Sequence, residues 1–226
     1  MMGSESRRGF WTRLGDWLDE RLDVRVPLQA FLKKPVPKHA IRWYFCLGGI
    51  TFALFVIQGV TGLLLSLYYK PTPEGAYESI LFIMNNVRFG WLIRSFHSWS
   101  ATLMIATCIL HMLRVYITGA YKRPRELNWV AGMFLGLLTL AFGFTGYLLP
   151  WDQKAFWAST VGSQIAGLIP LVGDSLLGML RGGPDVTGVT LTRFYGIHML
   201  VLPAFTFIFL GVHFVIIRRQ GISGPL

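Results

Sequence analysis

Charge is scarce in this sequence, and negative charge scarcest. Asp, Glu, Lys and Arg make up 14% of its 226 residues, with 11 acids against 21 bases and a formal net charge of +10. A water-soluble domain is normally about a quarter charged, and no core of this length could hide 17 Phe and 8 Trp. With a mean hydropathy of +0.51, the basic excess is read against a membrane and not against nucleic acid. Cysteine is nearly absent too: Cys46 and Cys108 both lie in apolar stretches, which excludes a disulfide framework. The polar, basic beginning lacks the early apolar core and cleavage site of a secretory signal. No internal repeat or low-complexity tract is evident, and no second domain.

What is abundant is uncharged length. Residues 43–69, 95–113, 127–149 and 194–217 contain no Asp, Glu, Lys or Arg. Each run is about the 20 residues that a helix needs to cross hydrocarbon. A fifth apolar patch, 166–180, is interrupted by Pro170, Gly173 and Asp174 and predicts short interfacial helices in a long loop. The expected fold is an all-α membrane protein, a four-transmembrane-helix bundle (residues 43–226). Ahead of it, Phe10, Trp11, Leu14, Trp17, Leu18 and Leu22 recur at helical spacing between charged residues. They predict an amphipathic surface helix within an N-terminal interfacial segment, residues 1–42; a partner-docking helix is the alternative.

The bases sort by side. The N-terminal segment, the second-to-third connection and the C-terminus carry 15 of the 21 Lys and Arg and 6 of the 11 acids, net +9. The positive-inside rule puts that face, and both termini, in the cytoplasm or its topological equivalent.

Four of the five histidines fall inside the spans. His97 and His111 are 14 residues apart in the second span, and His198 and His213 are 15 apart in the fourth. At 1.5 Å per residue the members of a pair lie roughly 21 to 23 Å apart, offset by about 40° and about 60° around the helix. Both helices run from the outer to the inner side, so His97 faces His198 at an outer level and His111 faces His213 at an inner one. One intramembrane histidine could be explained by a hydrogen bond between helices; two matched pairs suit the bis-imidazole ligation of two haems. Gly48 and Gly62 in the first span, and Gly132 and Gly146 in the third, repeat the 14-residue interval and would allow close approach. Arg94 and Arg114 lie three residues from His97 and His111 and would balance haem propionates, although Arg114 could equally snorkel to headgroups. Pro203 should free a carbonyl and kink the fourth helix.

These residues carry a resemblance. The histidine and glycine pairs, the block Gly146-Tyr147-Leu148-Leu149-Pro150-Trp151-Asp152 and segments 45–51, 89–95, 122–127, 191–195 and 219–226 look like the cytochrome b6 family, the split cytochromes b of quinol–cytochrome c or plastocyanin reductases. The 15-residue histidine interval is similar to the split type. Several further roles are implied by the resemblance alone. The His97–His198 haem would be the low-potential one and the His111–His213 haem the high-potential one. Cys46 would hold a further, c-type haem covalently, with Arg218 near its propionates and an inner quinone site. Tyr147, Trp157, Ala158 and Val161 would line an outer quinol pocket. Quinol oxidised there would send one electron to a Rieske iron–sulfur protein and onward through a c-type cytochrome. The other would cross through the b haems to an inner quinone, contributing to proton translocation. A Pro-Glu-Trp-Tyr motif completes the outer site in the family and is absent here, implying a second cytochrome b fragment (subunit IV-like) in a dimeric complex surrounded by lipid. Residues 151–157 resemble menaquinol enzymes more than plastoquinol ones. The competing readings are a di-haem b anchor of a hydrogenase or formate dehydrogenase, and a non-redox channel or transporter.

Overall fold

The computed structural model describes residues 9–22 and 42–222. The chain divides into two compact units, Met1–Lys38 and His39–Leu226. In the first, Phe10–Leu22 is helical, as its apolar spacing predicts. Phe10 and Trp11 are exposed and meet edge to face at 5.3 Å. The side chains of Trp17, Leu18 and Leu22, and residues 23–41 of the expected interfacial segment, lie outside the described residues.

The second unit is built on four helices long and apolar enough to cross a membrane: Leu47–Ser66, Gly90–Ile117, Glu126–Leu148 and Gly188–Gln220. The described residues contain no strand. The second and fourth spans begin earlier than their charge-free runs, because Arg94 and Arg193 sit inside the helices. A charge near a membrane boundary can extend its stem outward without ending the helix, so counting uncharged residues measures hydrocarbon thickness rather than helix length.

Packing inverts the soluble pattern. Leu63, Ile109, Leu137, Leu200 and Phe207 face outward, whereas Thr61, Ser100, Thr145 and Thr206 are buried. Small side chains let helix backbones approach where no hydrophobic force drives association. The first span packs mainly on the second, the fourth on the third, and the second on the third, leaving the two histidine-bearing spans on a diagonal. Cross-links reinforce this order. Gln58 donates to the His97 carbonyl and to Ser100 Oγ, both at 2.6 Å, and Tyr69 donates to the Leu149 carbonyl at 2.6 Å. At the opposite face, Gln220 donates to the Pro124 carbonyl at 2.8 Å.

The face where the first span ends and the fourth begins, here the loop face, carries the surface helices. Ala76–Asn85 was invisible to hydrophobic periodicity because its buried stripe is Ala76, Ser79 and Ile83, with one large apolar residue. Helices Gln153–Gly167 and Gly173–Arg181 fall on either side of the Pro170 break. Trp151 adopts a left-handed φ of 52° to turn the chain, and Asp152 then accepts the Ala155 N–H at 2.8 Å as an N-cap. Arg181 ties these elements together. It is 8% exposed and donates to Ser163 Oγ at 2.7 Å, the Pro184 carbonyl at 2.9 Å, and the Thr160 carbonyl at 3.1 Å.

Arg181→Leu strands those buried acceptors and should cost on the order of 3 kcal/mol. Arg181→Lys should recover only part of it, because one ammonium cannot span the same fork of acceptors. Thermal unfolding of the detergent-solubilised variants measures both.

Candidate functional site

The four intramembrane histidines occupy two levels, each against a glycine on the neighbouring span. At the loop face a Cβ on Gly62 would lie 3.3 Å from His97 Cε1, and one on Gly146 would lie 2.8 Å from His198 Cε1. At the terminal face, where the first span begins and the fourth ends, a Cβ on Gly48 would lie 3.0 Å from His111 Cε1, and one on Gly132 would lie 3.5 Å from His213 Cε1. Sequence reasoning assigned the glycines to the clearance of a haem plane; in the structure the first atoms an added methyl meets belong to imidazole rings. His198 lies within electrostatic reach of His97, and His111 of His213.

The unequal intervals are reconciled by one turn. Ile197–Val201 is a π-helix in which the Leu202 N–H donates to the Ile197 carbonyl. Pro203 has no N–H to give the Met199 carbonyl, so the turn ahead of it opens. A π turn takes up one residue more than an α turn. The 15 residues from His198 to His213 therefore turn through roughly the angle of the 14 from His97 to His111. The expected proline kink appears as this register correction, and it places His198 inside the wide turn.

The two levels differ in what holds the rings. At the loop face Thr61 Oγ1 lies 2.9 Å from His97 Nδ1, and Thr145 Oγ1 lies 2.8 Å from His198 Nδ1. Each hydroxyl also donates to the carbonyl four residues back, Ile57 at 2.6 Å and Ala141 at 2.8 Å. A hydroxyl has one proton and it is committed to that carbonyl, so Oγ1 accepts from Nδ1–H. Both Nε2 atoms are thereby left with free lone pairs. At the terminal face His111 Nδ1 is buried without a hydrogen-bond partner among the described residues, and His213 Nδ1 has only a weak interaction with the Asn128 backbone.

The terminal-face histidines border a cavity of about 310 Å³. Gly48, Gly132, Phe52 and Phe55 form apolar wall, and Arg114, Arg125, Asn128 and Tyr121 form a polar end. Arg114 Nε, Arg125 Nε and Asn128 Oδ1 are buried there without partners among the described residues, and the Arg114 guanidinium lies 4.6 Å from the Phe45 ring centroid. So many unmet groups around one cavity indicate a polar ligand. The described residues contain no group of three His, Cys, Asp or Glu suited to a bare metal ion. An imidazole pair leaves the remaining positions to a ligand that brings its own donors, and cationic groups at one end suit one that carries carboxylates. A porphyrin-bound iron fits this donor set.

The other predicted residues take varied places. Cys46 is exposed at the start of the first span; its Sγ approaches the Arg42 carbonyl at 3.9 Å and does not line the cavity. Arg218, half-buried in the last turn of the fourth span, is not among the lining residues either. Arg94, at the loop-face level, donates to Met84 Sδ at 3.7 Å, a weak acceptor. Tyr147, Trp157 and Val161 are exposed and Ala158 half-buried, at the end of the third span and on the helix after it. Sequence reasoning missed Thr61, Thr145, Arg125 and Asn128 as site residues. The signal for the threonines was present, since Thr-Gly occurs at 61–62 and again at 145–146.

A family model described as Cytochrome b/b6/petB matches residues 31–221. A cytochrome b6 of Synechococcus sp. (strain JA-3-3Ab) is 50% identical over 215 residues, covering 95% of this chain and all of that one. A cytochrome b6 of Heliomicrobium gestii is 53% identical over 211 residues, covering 93% and 99%. A solved structure described as hyperthermophilic respiratory Complex III superposes with a TM-score of 0.81 at 35% identity. It matches 93% of this chain, which spans 56% of the length of that one.

The glycine contacts rank four substitutions. Gly146→Ala must displace an imidazole, Gly48→Ala and Gly62→Ala require one to give by a few tenths of an ångström, and Gly132→Ala meets ordinary van der Waals distance. Haem b per chain, read from the b-type pyridine haemochrome band, should fall about twofold for Gly146→Ala and stay at the wild-type value for Gly132→Ala, as expected if one of two b-type sites is lost.

Proposed function

The chain belongs to the cytochrome b/b6 family, and from that premise we propose that it is the electron-carrying membrane subunit of a quinol–cytochrome c or quinol–plastocyanin reductase. As a member of that family it is a multi-pass membrane protein of electron transport that binds haem b. The observation that carries the finer reading is the pairing of each intramembrane histidine with a glycine at two depths.

His97 and His198 hold one b haem at the loop face, and His111 and His213 hold the second at the terminal face. When bound, the haems supply one-electron carriers at two depths of the membrane. The chain's own residues set where these sit and what surrounds them. Gly62, Gly146, Gly48 and Gly132 admit the imidazole edges. Arg94 at one level and Arg114 at the other offer guanidinium groups to propionates, and burial strengthens such charge-assisted bonds. Apolar side chains facing lipid on all four spans keep water away from the route.

The loop face is the outer side by the positive-inside rule, since the segments before the first span, between the second and third, and after the fourth carry 15 of the 21 Lys and Arg in the sequence. Tyr147, Trp157, Ala158 and Val161 form this chain's part of the outer quinol pocket. Their exposure agrees with a pocket closed by another polypeptide, a second cytochrome b fragment bearing the Pro-Glu-Trp-Tyr motif. A Rieske iron–sulfur protein and a c-type cytochrome complete a dimeric complex, so this chain alone is not the whole enzyme. At the inner face, the exposed Cys46 thiol would hold a further haem covalently, by adding across a vinyl group to form a thioether, and Arg218 would serve its propionates and a menaquinone or plastoquinone site. The amphipathic helix Phe10–Leu22 lies on the inner membrane surface, within the interfacial segment 1–42 that precedes the bundle. A di-haem anchor of a hydrogenase or formate dehydrogenase is not favoured, because cytochromes b6 match the chain along nearly its whole length.

Acid–acetone extraction of the purified complex should remove two b-type haems per chain and leave one haem that stays with the polypeptide on a denaturing gel. Cys46→Ala should abolish the gel-stable haem and retain both extractable ones. A wild-type complex without b-type bands in its reduced spectrum contradicts the reading.

A further inference from the structure

The buried residue immediately before each of the four glycines differs between the two levels. At the loop face it is Thr61 or Thr145; at the terminal face it is Leu47 or Ala131, and all four are less than a tenth exposed. The same place in the packing thus holds a hydroxyl at one level and only apolar atoms at the other. The hydroxyls accept from His97 Nδ1–H and His198 Nδ1–H at 2.9 and 2.8 Å, with their own protons fixed on the Ile57 and Ala141 carbonyls. The terminal-face rings have no corresponding hydroxyl: His111 Nδ1 has no partner among the described residues, and His213 has only a weak interaction with the Asn128 backbone.

We propose that Thr61 and Thr145 are positioning residues that set the loop-face haem to a lower reduction potential than the terminal-face haem. The proposal rests on the bis-histidine haem reading. An imidazole whose Nδ1–H is given to an oxygen acceptor becomes more basic at Nε2 and donates more electron density to a bound iron. That stabilises the ferric over the ferrous state and lowers the potential; second-sphere hydrogen bonding is among the protein's main means of tuning a haem. Two well-formed hydroxyl bonds act on one centre, against one weak backbone interaction on the other, so the fold carries a built-in downhill direction from loop face to terminal face. Each bond also fixes its ring about the Cβ–Cγ axis, because the threonine is held in turn by its own helix.

The test is a redox titration of the two b-type bands in the assembled membrane complex, with the loop-face band identified as the one lost in His97→Leu. Thr61→Val and Thr145→Val keep shape and remove the acceptor. Each should raise the potential of the loop-face haem, the double variant more than either, with the terminal-face haem unmoved. Thr61→Ser and Thr145→Ser keep the hydroxyl and should restore the wild-type value. Loss of the loop-face haem alone in the valine variants, rescued by serine, also supports the proposal. Retention of both haems with no shift, equal shifts of both, or loss of both would overturn it. Absence of b-type haem from the wild-type complex would instead remove the reading on which it rests.

Discussion

A neutral imidazole in hydrocarbon must meet a partner, and the whole bundle is arranged around meeting four of them. Hydrocarbon supplies no hydrogen bonds, so a ring nitrogen depends on the protein or on what it binds. Diagonal placement of the second and fourth spans brings the rings into the interior at two depths. The first and third spans serve as backing walls, giving each ring a glycine to lie against. The π turn ahead of Pro203 belongs to the same constraint, since it absorbs the extra residue that would otherwise rotate His198 out of line with His213.

The remaining structure reflects an interior of small and polar groups inside an apolar exterior. Hydrophobic force cannot order helices whose surroundings are as apolar as their side chains, so specific contacts must do so. Gln58 joins the first two spans beside His97, and Tyr69 closes the loop face. The surface helices of that face are held separately by Arg181, whose guanidinium gathers acceptors from the two neighbouring segments. The exposed row of Tyr147, Trp157 and Val161 is thus presented by a fixed platform.

Much of this was legible in the sequence, for a definite reason. Membrane spans advertise themselves by the absence of charge, and an intramembrane histidine stands out against that background. The glycines became informative only through sharing the histidine interval. Four things stayed hidden. Helix Ala76–Asn85 packs through Ala76 and Ser79, which leave no hydrophobic period. The π turn depends on a hydrogen bond that Pro203 cannot make, and sequence spacing computed on an ideal helix misses such a correction. Thr61 and Thr145 are ordinary membrane-helix residues until the structure puts their hydroxyls on Nδ1 atoms of the neighbouring helices. Arg125 and Asn128 lie near the start of the third span, where a polar residue looks like a boundary and not a site.

The central claim is that the four histidines form two independent centres, one at each depth. It is tested most directly by counting extractable haem in assembled complexes that carry His198→Leu or His111→Leu. Two separate centres predict one b-type haem per chain in each variant, with different surviving potentials: the higher one in His198→Leu and the lower one in His111→Leu. Two haems in either variant, or the same surviving potential in both, would contradict the account.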